Sequence, residues 1–119
     1  MVESKSSLGD KKFKPVGRLW KKLRLDNLWV WILKLLIEEN KYAYELRQEI
    51  KERFKFEPAT VTSYAVLYRL ERQGYVSEAS RSKTPNRKYY EITDLGREAF
   101  NFAQRILNDT MNELFDKTI

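Results

Sequence analysis

The chain contains no cysteine and no histidine. Without cysteine there is no disulfide and no thiolate nucleophile; without histidine there is no imidazole base, and the two absences together remove nearly every transition-metal site. Serine, lysine and glutamate are plentiful, but no nucleophile and base stand in a recognisable arrangement, so catalysis is poorly supported and no metal or cofactor is expected. Long apolar runs are missing too. The longest, residues 28–37, is interrupted by Lys34 and falls short of the ~20 residues a bilayer span requires. The opening MVESKSSLGDKKF has no apolar run after its charges, which argues against a secretory signal and makes a cytoplasmic location the default expectation.

What is present is enough for one domain. At 119 residues, with 42% hydrophobic and 34% charged residues, the chain can bury a modest core and does not read as disordered. The net charge of +6 points to a polyanionic partner, but its location matters more than its size. Residues 1–24 hold eight basic side chains (Lys5, Lys11, Lys12, Lys14, Arg18, Lys21, Lys22 and Arg24) against Glu3 and Asp10, which is the whole of the excess. The rest of the chain sums to zero and must carry any positive surface locally.

Residues 60–76, TVTSYAVLYRLERQGYV, are the centre of the reading. Leu67 and Leu70, with Ser63 and Gly74 continuing the row, repeat at the spacing of one buried helix side. On the other side stand Thr62, Ala65, Arg69 and Arg72, with Tyr68 beside them, a surface suited to a DNA groove. Pro58 opens this helix, Gly74 ends it, and Tyr75-Val76 starts a strand at once. The strands expected over 75–80 and 87–92 are joined by a loop containing Pro85-Asn86, and Arg81, Lys83, Arg87 and Lys88 concentrate positive charge on this hairpin. A charged loop is usually just solvated; beside a helix-turn-helix it reads better as a contact to phosphates or a minor groove. Tyr89-Tyr90 is expected to alternate between core and surface.

Upstream, residues 1–15 read as a loosely ordered arm. Residues 18–25, RLWKKLRL, form a short basic amphipathic helix with Leu19, Trp20 and Leu23 on one face. Docking on the body or a second subunit is favoured over a membrane-surface role, and Lys21 and Lys22 on the other face are compatible with phosphate contact. The next helix runs from Leu28 to about Glu39 and is apolar nearly all round. Trp29, Ile32, Leu33, Leu36 and Ile37 cover one side, while Leu28, Trp31 and Leu35 extend the apolar surface, implying a second buried face at a subunit interface. Trp29 and Trp31 could line a pocket for an aromatic effector there, although paired core tryptophans are commoner. A supporting helix spans about 42–53, with Phe54-Lys55-Phe56 extended after it. Thr93-Asp94 caps a last helix that continues to about residue 116 and carries two apolar stripes. Phe100, Ala103, Leu107, Met111 and Leu114 form the stripe expected at the interface.

The fold class is therefore mainly α with a small β-hairpin. It is a winged helix-turn-helix over residues 25–92, preceded by a basic arm over 1–24 and followed by a C-terminal dimerisation helix over 93–119. A two-fold dimer presents its recognition helices about one DNA turn, ~34 Å, apart.

Residues 25–115 resemble the PadR-like transcriptional regulators. The markers are Tyr42-Ala43-Tyr44-Glu45-Leu46; Tyr64 with Leu67, Arg69, Leu70, Glu71 and Gly74; and Arg87-Lys88-Tyr89-Tyr90 followed by Thr93 and Gly96. The resemblance implies a winged helix with a C-terminal dimerisation helix, repression by operator binding, and in some members release by small aromatic or hydrophobic compounds. Ala43 departs from the family's glycine, and Val61, Ser63 and Ala65 depart from its pattern at the start of the recognition helix, so operator sequence does not carry over.

The function expected is that of a homodimeric, sequence-specific binder of double-stranded DNA, a repressor. Thr60, Thr62, Ala65, Tyr68, Arg69 and Arg72 face the major groove, with Arg81, Lys83, Arg87 and Lys88 on the wing and Lys21 and Lys22 on the arm. The alternative is a winged helix used for protein contacts, which the neutral charge after residue 24 keeps open.

Overall fold

The computed structural model describes residues 13–80 and 86–116. The order is α1 (Lys14–Arg24), a 3-10 turn (Leu25–Asn27), α2 (Leu28–Glu38), β1 (Lys41–Tyr42), α3 (Ala43–Phe54), α4 (Thr60–Arg72), β2 (Val76–Glu78), β3 (Tyr89–Ile92) and α5 (Asp94–Phe115). No described helix is long and apolar enough to cross a membrane.

Helix α2 is the hub. Its buried residues Leu28, Ile32, Leu33, Leu35 and Leu36 point in several directions, and α1, α3, α4, α5 and β3 all pack against it. This corrects the expectation for Leu28 and Leu35. They are 1% and 0% exposed within one chain, so neither is available to a second subunit. Trp31 is likewise engaged internally: its ring lies 5.0 Å from Phe54 and 5.2 Å from Phe56, and its Nε1–H donates to the carbonyl of Leu23 at 3.0 Å. A helix apolar nearly all round is satisfied by neighbours on every side, and one of those neighbours is α1.

Helix α1 begins earlier than residue 18, because Pro15 is tolerated in a first turn, where no intrahelical donor is lost. Trp20 docks edge-on against Phe56 with centroids 6.1 Å apart. Leu19 and Leu23, expected on the same docked face, remain exposed.

Helix α3 starts with the Tyr42 backbone N–H donating to the Glu45 carboxylate at 3.1 Å, and runs through Phe54. Lys55 then takes a left-handed conformation (φ 63°), which turns Phe56 into the core in place of the extended segment expected there. Helix α4 buries Ser63, Leu67 and Leu70, as their spacing predicts, and Gly74 at φ 86° ends it.

The sheet holds a strand that periodicity did not reveal. β3 is central, pairing antiparallel with β1 (Lys41 opposite Tyr90) and with β2 (Val76 opposite Ile92). Tyr89 and Tyr90 are consequently both buried rather than alternating. Thr93 joins the pieces: its hydroxyl donates to the Gly74 carbonyl at 2.6 Å and accepts from the Gly96 N–H at 3.1 Å, capping α5. At Gly96 an added Cβ would lie 2.2 Å from the Tyr75 carbonyl oxygen, so only glycine lets α5 leave the sheet this closely. Helix α5 then runs 22 residues, ~33 Å. Gly96 is its one fully buried residue.

Candidate nucleic-acid interface

The buried row Ser63–Leu67–Leu70 fixes which side of α4 is presented outward. At 100° per residue, Val61, Ala65, Tyr68 and Arg72 stand directly opposite that row. Val61 is 81% exposed and Tyr68 60%. The Arg72 guanidinium lies 6.0 Å from the Tyr68 ring centroid, within reach of a cation–π contact. Thr60 is exposed at the helix start.

The two flanks of α4 differ. Thr62 and Arg69, also exposed, turn toward a cleft of about 580 Å³ that they line with Val66, Gln73, Asp26 and Trp29. On the arm side of that cleft Lys22 pairs with Asp26 at 3.0 Å, while Lys21 is exposed on α1. The opposite flank carries Tyr64, 52% exposed, above a smaller cleft of about 370 Å³ lined also by Tyr42, Tyr44, Arg87, Lys88 and Tyr90.

This second cleft joins three elements distant in sequence: the first turn of α3, the first half of α4 and the entry to β3. Tyr42 and Tyr44 lie nearly parallel at 6.5 Å, Tyr42 meets Tyr89 edge-on at 5.3 Å, and the Arg87 guanidinium sits 4.4 Å from the Tyr42 ring centroid. Lys88 donates to Glu71 at 2.9 Å, which raises the lysine's pKa and keeps it charged. Burial pushes the Tyr90 phenol up, against the lowering effect of Lys88, so it stays neutral in the ordinary pH range. Aromatic faces, hydroxyls and cations of this kind can grip a sugar-phosphate backbone.

The structure thus brings Ala65, Tyr68 and Arg72 onto one face, sets Thr62 and Arg69 at one edge, and sets Arg87 and Lys88 at the other. Arg81 and Lys83 lie outside the described residues. Sequence reasoning did not assign Val61, Tyr64, Tyr42 or Tyr44 to the site. Tyr64 and Tyr68 are one helical turn apart, a spacing that could have flagged the first from the second. Tyr42 and Tyr44 could not have been placed without the β1–β3 pairing.

Of the residues expected at a subunit interface, Leu107, Met111 and Leu114 are exposed on α5, whereas Phe100 and Ala103 are half-buried on its near side. Trp29 and Trp31 both border a third, mostly apolar cleft of about 650 Å³ between α1, α2 and α5.

Helices α2, α3 and α4, with a small antiparallel sheet whose β2–β3 pair follows α4, define a winged helix-turn-helix. Residues 32–101 match the model of the transcriptional regulator PadR-like family, and the chain belongs to that family. A transcriptional regulator from Clostridium thermocellum is similar in structure, with 26% identity, coverage of 77% of this chain and 93% of that one, and a TM-score of 0.66. A PadR family transcription regulator from hypervirulent Clostridium difficile shows 25% identity, coverage of 73% and 96%, and a TM-score of 0.61. An uncharacterized protein from Lysinibacillus sphaericus is 40% identical over 70 residues, 56% of this chain, and the match spans 64% of that relative's length. Helix α1 lies before the first residue of the family match.

Proposed function

We propose that the protein is a homodimeric repressor of transcription that binds double-stranded DNA by sequence. The observation that carries this reading is the convergence of Tyr42, Tyr44, Tyr64, Arg87 and Lys88 on one cleft directly beside the exposed face of α4. In this reading α4 enters the major groove. Ala65, Tyr68 and Arg72 lead, with Thr60 at the helix start and Thr62 and Arg69 at one edge. The small side chains of Val61 and Ala65 allow close approach and can meet thymine methyl groups, and Arg69 can pair with guanine. The tyrosine cleft and the wing, with Arg81 and Lys83, hold the backbone and set the register. Lys21 and Lys22 on α1 add phosphate contacts. The exposed stripe of α5 supports a two-fold dimer, which would bind a pseudo-palindromic operator. A small aromatic effector would act against Trp29, which borders two clefts, one of them shared with Thr62 and Arg69 of the recognition helix.

Selection of bound sequences from a random duplex pool tests the reading. The expected motif is a pair of inverted half-sites about one helical turn apart, and Arg69→Ala should relax preference at one position of each half-site by ~1–3 kcal/mol. Failure to enrich any duplex, even at low salt, would sink the DNA-binding reading. It would favour instead a protein partner for the same face, whose centre, Val61 and Ala65, carries no charge.

A further inference from the structure

Lys88 joins two elements that chain order keeps apart. It immediately precedes β3, and its ammonium reaches back to donate to the Glu71 carboxylate of α4 at 2.9 Å. The same ammonium lies 5.2 Å from the Tyr90 ring centroid. Glu78 of β2, which stands opposite Tyr90 in the sheet, adds a second negative charge acting on it. Two carboxylates, one from α4 and one from β2, therefore face this single lysine, and its charge is already engaged within the chain.

The position of Glu71 shows what that pairing does. Glu71 is the only acid of α4. Two turns after Tyr64 and just under one turn after Tyr68, it falls on the same flank as those tyrosines. An uncompensated carboxylate on that flank would repel the phosphates of any duplex lying across it. The Lys88 and Glu71 side chains are 43% and 32% exposed, and exposed pairs contribute little to stability. Geometry is a different matter. The end of α4 is tied to the hairpin a second time, where the Thr93 hydroxyl donates to the Gly74 carbonyl at 2.6 Å. Glu71 and Gly74 are a turn apart on one element, and Lys88 and Thr93 flank the two ends of β3 on the other. Ties at two separate points resist a pivot between helix and strand that one tie would allow.

We propose that Lys88 is a positioning residue rather than a phosphate contact: paired with Glu71, it sets the angle between the recognition helix and β3 and cancels the acid on the flank of α4. This rests on the DNA-binding reading above and divides the cations of the tyrosine cleft by role. Arg87, whose guanidinium lies over the Tyr42 ring, keeps the role of backbone contact. A phosphate contact strengthens binding to every sequence alike, whereas a fixed helix angle strengthens only the binding that depends on base edges.

The test measures binding of the full chain to an enriched duplex from the selection above and to a scrambled duplex of equal length, at several salt concentrations. The proteins are the wild type, Glu71→Gln, the double variant Glu71→Gln/Lys88→Met, and Lys88→Arg. Glu71→Gln removes a negative charge, which by charge alone would tighten binding to both duplexes. The ratio of enriched to scrambled affinity should instead fall about threefold, the scale on which exposed ion pairs couple. The double variant should lose the same ratio while its salt slope on the scrambled duplex stays at the wild-type value, because an internal pair releases no counterions. Lys88→Arg keeps the pair and should keep the ratio. Thermal unfolding should match the wild type throughout, which separates lost positioning from lost folding. If the double variant folds poorly, Glu71→Gln and Lys88→Arg still decide the matter. A double variant whose slope falls by about 0.9 with its ratio unchanged would make Lys88 a phosphate contact, overturning the proposal while DNA binding stands. A Glu71→Gln protein that binds both duplexes more tightly by one common factor would overturn it as well. A selection that enriches no duplex would overturn the DNA-binding reading and this one with it.

Discussion

Helices α2 and α5 both carry surplus apolar surface and have opposite fates. Each carries more apolar surface than one face of a small three-helix core can cover, and from sequence both surpluses are expected at a subunit interface. In α2 the surplus is used up inside the chain, and Leu28 and Leu35 are among its most completely buried residues. In α5 the surplus stays outside, with Leu107, Met111 and Leu114 exposed. Apolar periodicity says that a face needs cover; position in the topology says who supplies it. Helix α2 has elements packed on every side, from α1 before it to β3 and α5 after it. Helix α5 leaves the sheet at Gly96, and every residue from Gln104 to Phe115 is exposed.

Shortening one leucine in each helix separates the two cases. Leu35→Ala should cost about 2–5 kcal/mol, since it removes a fully enclosed side chain and leaves a cavity. Denaturant unfolding should show that loss at low and high protein concentration alike. Leu114 is 68% exposed in one chain, and Leu114→Ala should leave the dilute protein within about 0.5 kcal/mol of the wild type. Its effect should emerge only at concentrations where dimers form. A concentration-independent loss for Leu114→Ala would mean that α5 is held within one chain after all.

The contrast also explains what could be read in advance. The row Ser63–Leu67–Leu70, the glycine stop at residue 74 and the Thr93 cap are local signals, set by one helix period or one turn, and each is found where expected. Strand β1 was not legible, because two residues carry no period; Lys41 and Tyr42 become a strand only by pairing with β3. The same pairing buries Tyr89 along with Tyr90 and gathers Tyr42 and Tyr44 beside Tyr64. The outward face of α4 was therefore readable from spacing, but its aromatic flank depends on a contact across more than forty residues. Likewise, burial of Leu28 and Leu35 depends on elements distant in sequence that pack around α2.

A smaller effect is expected at the junction of the two regions. Gly96 sets the angle at which α5 departs, and an added methyl would meet the Tyr75 carbonyl oxygen at 2.2 Å and Ile92 at 2.7 Å. The first of these is backbone and cannot rotate away. Gly96→Ala should cost about 1–3 kcal/mol, the usual range for overpacking. It should also weaken the proposed dimer, because α5 must tilt. A drop in stability with the dimer unaffected would show that the clash is relieved in the sheet rather than in α5.

The smallest expected effect is electrostatic and belongs to the body alone. Arg53 donates to both carboxylate oxygens of Glu38, at 2.6 and 2.9 Å, and to Glu49 at 3.0 Å, tying the end of α2 to α3. Hydrogen bonds from Arg53 and then Lys34 hold the Glu38 carboxyl at about 2, below its usual 4.5. At Glu49 burial pushes the carboxyl up, but hydrogen bonds from Lys41 and Arg53 together outweigh it and the net shift is downward. Both carboxyls are thus more acidic folded than unfolded. The stability they contribute is present above the unfolded value and is lost as pH falls toward the folded one, between about 4.5 and 2 for Glu38. Because Glu38 and Arg53 are partly exposed to solvent, the loss should be small and weakened by salt. Glu38→Gln should flatten the acid limb of the unfolding midpoint over that window while leaving the concentration dependence from α5 untouched. An acid limb unchanged by Glu38→Gln would place the acid sensitivity elsewhere, with the pair of buried Lys41 and half-buried Glu49 at 2.6 Å the first site to substitute.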